Sequence, residues 1–321
     1  VDKEPELDAP FQLSEEAYAG EAYYPGELAG FEAEDIGIVR GHRILFLKVK
    51  PVQYNPSTKM IEAFSNIEVR IEYSERAQLQ RVDSRIGSPE FEKVLEASIL
   101  NHKDLDRFPR PVVTPSPGEG QSRTGCDYLI LTHPDFYQPK DPNNPLVRFQ
   151  DWKQRKGYIT KVVDVTTLPL GNTSASIQDY IQDAYDDWDI VPTYVLLVGD
   201  SEFIPTAYGA VHTYPHYPAG TQVATDLYYT TVHGTDYFPD IFLGRLSVDT
   251  LAETEDVIDK ILDYERNPSN VADYYNNVSL VALFEDDTDL PLPDPAPEDG
   301  DEDRIWIESA EEIRTHLLNK G

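Results

Sequence analysis

The sequence predicts an α/β protein with two textures. A β-rich N-terminal module comes first, and a doubly wound α/β/α module on a parallel sheet follows. Three observations predict this. Residues 36–75 alternate apolar and polar side chains in short runs. Residues 107–125 hold four prolines, three glycines and three arginines, which break any packed element. Beyond them, apolar strand-like runs alternate with amphipathic helical runs from 127 to 199. That alternation is the pattern of a sheet with crossover helices. The division expected is therefore 1–106 β-rich, 107–125 linker and 126–321 α/β.

Within the first module, the run from Ile36 to Tyr73 reads as hairpins. The turn Asn55–Lys59 separates two strand-like runs. The second, Ile67–Tyr73, has period 2, so one face is wet. Residues 88–100 read as a helix started by Ser88 and Pro89, with Phe91, Val94, Leu95 and Ile99 on one stripe. In the second module, 127–132, 158–165 and 193–199 read as strands. Residues 145–157 place Leu146, Phe149 and Trp152 at helical spacing and end at Gly157. Residues 176–188 form an amphipathic helix with Ser176 as its expected N-cap. Further strands are expected at 226–232, 240–243 and 277–284. Further helices are expected at 250–266, with a Thr250/Glu253 capping box, and at 305–319.

Charge and composition exclude several functions. The net charge is −31, from 58 acids and 27 bases. A nucleic-acid partner needs a Lys/Arg surface, so none is expected. An anionic membrane surface is disfavoured for the same reason. No run of about 18 apolar residues occurs, so no membrane span is expected. No basic and apolar leader opens the sequence, so a signal peptide is absent or already removed. A single cysteine, Cys126, excludes an internal disulfide framework and any multi-Cys metal site.

Chemistry-bearing motifs are sparse. Cys126 falls at the amino end of its strand, where a small half-buried residue is the expected role, because α/β sites form at carboxyl ends. No Gly-x-Ser-x-Gly elbow, phosphate-binding Gly-rich loop or His-Glu-x-x-His motif occurs. His212 and His216 stand four apart in a stretch with two prolines, so they do not share a helix face. His233-Gly234 resembles a general-base position at a strand end, but no cysteine follows it. The strongest signals are two strand ends, one with Asp200 and one running from Asp240 to Arg245. Asp240 and Arg245 are expected to form a structural ion pair, and Asp226 is grouped with them as structural.

Residues 285–303 carry ten acids, no base and four prolines. They read either as a solvated extended loop or as a calcium loop. In the second reading the donors would be Asp286, Asp287, Asp289, Asp299, Asp301 and Asp303, since hard cations take carboxylate oxygens. The spacing is not that of an EF-hand.

Several strings resemble the gingipain-type cysteine peptidase family. They are YVLLVGDSEFIP at 194–205, TDLYYTTVHGTDYFPDIFLGRLSV at 225–248, KILDYERNP at 260–268 and FQDWKQRKG at 149–157. The resemblance implies a secreted zymogen whose catalytic part has a caspase-like fold of two α/β subdomains. It implies that residues 1–106 are the pro-domain, docked on the catalytic part until cleaved. Arg107, Arg110 and Arg123 are then the cleavage candidates. It also implies bound calcium, and protein or peptide substrates. The family's catalytic His and Cys belong to the second subdomain, which this sequence does not match. His233 falls inside the first-subdomain string and does not correspond to the family's His. The chain is therefore expected to be inactive by itself and to depend on a missing catalytic half or a second chain. Two alternatives are a secretion-associated sortase of the same family and a non-catalytic, calcium-stabilised extracellular binding protein.

Overall fold

The computed structural model describes residues 22–71, 84–103, 124–210, 222–271, 274–282 and 305–320. The chain divides into two compact units. One comprises the described residues within Ser14–Ala207 and Thr225–Leu262, the other those within Tyr208–Ala224 and Asp263–Gly321.

The N-terminal part of the first unit is a set of two-stranded antiparallel ribbons. β1 (Ala29–Gly30) pairs with β4 (Lys48–Val49), β2 (Ile36–Val39) with β3 (His42–Leu45), and β5 (Val52–Asn55) with β6 (Met60–Ala63). The β2–β3 turn is Arg40–Gly41, and both residues have positive φ, 47° and 83°. That is the requirement of a two-residue type I′ hairpin, whose twist matches the strands. The partner of β5 differs from the expectation. Pairing starts at Met60, directly after the turn, and Ile67–Ile71 form no strand. The turn decides this: Lys59 takes a φ of 55° and Asn55 Oδ1 accepts the Thr58 N–H at 3.0 Å, so the chain reverses at once. Helix α1 (Pro89–Ser98) starts as expected, with Ser88 Oγ accepting the Phe91 N–H.

The second part is a four-stranded parallel sheet. Its strands are β7 (Tyr128–Thr132), β8 (Thr160–Asp164), β9 (Tyr194–Val198) and β12 (Phe242–Leu246), in the order β12-β9-β7-β8. Helix α2 (Pro145–Arg155) links β7 to β8, α3 (Ser174–Asp187) links β8 to β9, and α4 (Leu251–Arg266) follows β12. The strand faces alternate in what they bury. Leu129, Leu131, Val195 and Leu197 pack with Ile177, Ile181 and Tyr185 of α3. Ile130, Leu196 and Val198 pack with Leu146 and Phe149 of α2 and Ile258 and Leu262 of α4. The sheet therefore lies between helical layers, the doubly wound α/β/α arrangement expected. Each fully buried Leu or Ile contributes about 1.5–3 kcal/mol.

Two further expected strands are absent. Residues 226–232 form a 3-10 turn at Leu227–Tyr229 and then an irregular stretch, whose main-chain groups are satisfied by the turn itself, by the Asp240 N–H and by side chains rather than by a neighbouring strand. Residues 277–282 have no regular structure. Helix α3 begins at Ser174, not Ser176: Thr173 caps it through the Ser176 N–H at 3.1 Å, and Ser176 is buried in the first turn. A short ribbon, β10 (Ala207–Ala210) with β11 (Gln222–Thr225), and α5 (Ile305–Lys320) complete the described elements. Among the described residues no helix is long and apolar enough to cross a membrane.

Candidate functional site

Two places on the sheet gather polar chemistry, one at each end of its strands. At the amino ends, the β2–β3 hairpin reaches the loop before β12. Arg40 is 2% exposed. Its Nε donates to the Ile86 carbonyl at 2.8 Å, and Nη1 donates to the carbonyls of Pro192 at 2.8 Å and Asp240 at 3.0 Å. The guanidinium carbon lies 5.2 Å from the Phe91 ring centroid and 5.5 Å from that of Tyr185. Asp240 is fully buried, and its carboxylate accepts three main-chain N–H groups: Arg40 at 2.7 Å, His233 at 2.9 Å and Val232 at 3.2 Å. Burial pushes Asp240 up to about 6, against the pull of those donors. Asp236 repeats the device, taking the Ile38 N–H at 2.9 Å and the Phe238 N–H at 2.8 Å. Two carboxylates thus meet the outward N–H groups of Ile38 and Arg40, as a partner strand's carbonyls would. Gly37 is required beside them, since a Cβ there would lie 1.9 Å from the Phe238 ring.

At the carboxyl ends, the strand order reverses between β7 and β9, which is where α/β sheets form their crevices. Thr132 and His133 end β7, and Gly199 and Asp200 follow β9. Gly199 has a φ of 132°, and a Cβ on it would lie 2.8 Å from that of Phe203. The His133 ring stands edge-on to Phe203 at 5.3 Å, and its Nδ1 is 3.3 Å from an Asp135 carboxylate oxygen. Arg245 staples this edge together. It forks onto both Asp226 oxygens at 2.8 Å, and Nη1 donates to the carbonyls of Gly199 at 2.9 Å and Ile204 at 2.8 Å. The Tyr229 hydroxyl donates to the Pro205 carbonyl, and burial raises its pKa.

The residues expected from sequence fall out as follows. The Asp240–Arg245 ion pair does not form. These residues lie at opposite ends of β12, five positions apart along extended chain: the Asp240 carboxylate takes main-chain N–H groups, and Arg245 pairs with Asp226. Asp200 accepts the Ser201 N–H and ties β9 to the next loop through its own N–H on the Val248 carbonyl at 3.1 Å. His233 is not at a strand end. It lies beside Asp240, with Nδ1 3.3 Å from the Tyr185 hydroxyl. Cys126 is fully buried just before β7, and burial pushes its thiol up to about 12, so it is no nucleophile at neutral pH. Arg107, Arg110 and Arg123 lie outside the described residues. So do Asp286, Asp287, Asp289, Asp299, Asp301 and Asp303. Among the described residues no group of three or more His, Cys, Asp or Glu side chains could hold a metal. Sequence reasoning missed Arg40, Asp236 and His133. One signal for Arg40 was available: an Arg-Gly pair at a hairpin tip, where Asn-Gly is the favoured choice.

Comparison with known proteins decides the family. A profile described as peptidase family C25 matches residues 121–318, and the C25 propeptide profile matches residues 1–107. The chain belongs to peptidase family C25. Lys-gingipain of Porphyromonas gingivalis is 30% identical to this family member over 278 residues, which is 85% of the chain and 14% of that protein. The chain thus spans a small part of such relatives. Among solved structures, the Arg specific cysteine proteinase gingipain R is 22% identical, covering 64% of this chain and 41% of that one, with a TM-score of 0.42. A complex of Porphyromonas gingivalis RgpB pro- and mature domains is 28% identical over 44% of this chain and 29% of that one, with a TM-score of 0.35. At these scores the superpositions are loose. In this C25 chain, the residues that meet the amino ends of the sheet (Arg40, Ile86, Ser88 and Phe91) all fall in the propeptide match.

Proposed function

We propose that the chain is the propeptide and the first α/β part of a cysteine endopeptidase, made as an exported zymogen and acting on proteins or peptides. The observation that carries this is the match of propeptide and peptidase profiles, in that order, along one chain. In such an enzyme a thiolate attacks the peptide carbonyl, an imidazole carries the proton to the leaving amine, and main-chain N–H groups hold the oxyanion. Cys126 suits none of this, being buried, protonated and at the wrong end of its strand. We therefore assign the nucleophile to polypeptide outside this sequence, in a second half of the module or a second chain. This chain supplies the sheet, with the crevice at His133 and Gly199–Asp200 as its share of the substrate edge. Cleavage falls in the Pro- and Arg-rich stretch, at Arg107, Arg110 or Arg123.

Calcium belongs to the same proposal. The six aspartates at 286–303 offer only carboxylate oxygens, the donor set a hard cation takes.

The test compares this chain with the longer gene product on Arg and Lys peptides. The chain alone should show no turnover, and its native thiol should resist iodoacetamide until denaturant is added. Turnover by the chain alone that disappears in Cys126→Ala would overturn the assignment.

A further inference from the structure

We propose that Arg40 is the docking residue that keeps the N-terminal module seated on the amino ends of the sheet after the chain between them is cut. The socket of Pro192, Asp236 and Asp240 then binds the β2–β3 hairpin tip as a separate piece, with Ile86 of that same piece holding the guanidinium from behind. This goes beyond the peptidase reading and does not depend on any catalysis. It needs only that the connection within 104–123 can be cut.

Four observations carry it. First, Arg40 breaks a local rule. A type I′ turn favours Asn or Gly at its first central position, yet Arg sits there at a φ of 47°. A side chain held in a disfavoured backbone region points to a function for that side chain. Second, the guanidinium is buried and directional. It makes three hydrogen bonds, two of them to carbonyls of the sheet module, at Pro192 and Asp240. Third, the socket is shaped for this tip. Asp236 and Asp240 take the N–H groups of Ile38 and Arg40, and Phe238 fills the space over Gly37. Fourth, the apolar contribution is modest. Among the described residues, the cluster under the hairpin has three buried hydrophobic residues, Val39, Phe91 and Leu95, joined by the stacked pairs Phe91–Phe242 at 4.1 Å and Phe46–Phe238 at 5.2 Å, and Ile86 is the N-terminal side chain that enters the main core of the sheet module. With so modest an apolar contact the guanidinium carries much of the seating, because removing it leaves the buried Pro192 and Asp240 carbonyls without their donors. The socket lies at the end of the sheet opposite the His133 crevice, so Arg40 is not acting as a bound substrate side chain there.

The experiment uses the full chain with a sequence-specific protease site in place of Pro117–Gly120. After cleavage, the two pieces are followed by size-exclusion chromatography and sedimentation. The wild-type pieces should travel together. Arg40→Asn keeps a residue suited to the turn and the main-chain bonds to Asp236 and Asp240 while removing the guanidinium, and should weaken association roughly 30-fold or more. Glu62→Gln, on the remote β6, should leave association unchanged. If Arg40→Asn does not fold before cleavage, Arg40→Lys keeps the stem and charge but loses the fork. It should speed dissociation by about tenfold or more. Wild-type pieces that separate on cleavage would overturn the proposal. So would folded Arg40→Asn or Arg40→Lys pieces that stay together as the wild type does.

Discussion

Asp127 shows how one residue near the junction sets a pH dependence. It sits half-buried just before β7, and its Oδ1 has no hydrogen-bond partner. Burial pushes its pKa up to about 6, and the Glu90 carboxylate from α1 pushes the same way. Asp240, also near 6, acts in the same direction. A carboxyl group with a raised folded pKa binds its proton more tightly folded than unfolded. Its contribution is therefore full below the unfolded value near 3.8, falls as pH rises to about 6, and is level above that. Asp127→Asn should make urea-unfolding stability decline less steeply than wild type between pH 4 and 6. An unchanged slope would show that Asp127 titrates normally.

Helix α2 shows the same economy at the scale of an element. Its start is set by Asn144, which is buried and works in both directions. Oδ1 accepts the N–H groups of Leu146 at 3.1 Å and Val147 at 3.4 Å, and Nδ2 donates to the Phe136 carbonyl at 3.1 Å. The same cap therefore holds the loop after β7 that carries His133. Helix α3 has a simpler cap, Thr173, with one bond. Thr173→Ala should cost about 1 kcal/mol. Asn144→Ala should cost more, about 2–3 kcal/mol, since it also strands a buried carbonyl. Denaturant titration of both variants checks the order, and equal losses would mean that the Phe136 bond contributes nothing.

At the scale of the whole molecule, the acid is unevenly spread. Residues 1–40 carry eleven acids and residues 285–303 ten. If the second block holds calcium, chelation should lower Tm and added calcium restore it, because binding to the folded state alone stabilises it by mass action. An unchanged Tm after chelation removes the metal and leaves a solvated loop.

The α/β plan was legible because it rests on local patterns. Strand runs such as YVLLV and helix stripes such as Ile177, Ile181 and Tyr185 state their own burial in their spacing. Ser88 and the Thr250–Glu253 pair declared helix starts correctly, although the Glu253 carboxylate takes the Asp249 N–H rather than that of Thr250. The runs at 226–232 and 67–71 have strand composition and lack what composition cannot supply. A strand needs a partner edge, and in 226–232 the Asp240 carboxylate takes the N–H groups of Val232 and His233.

By itself, then, the sequence determined the order of modules, the parallel sheet and the family. Only the tertiary structure decided who pairs with whom. Arg245 was matched to Asp240, five residues away in sequence, yet it bonds Asp226, and Asp240 takes the Arg40 N–H from 200 residues away. The physical reason is that a buried charge is satisfied by whatever donors the fold brings to it, and chain separation along a strand keeps near neighbours apart.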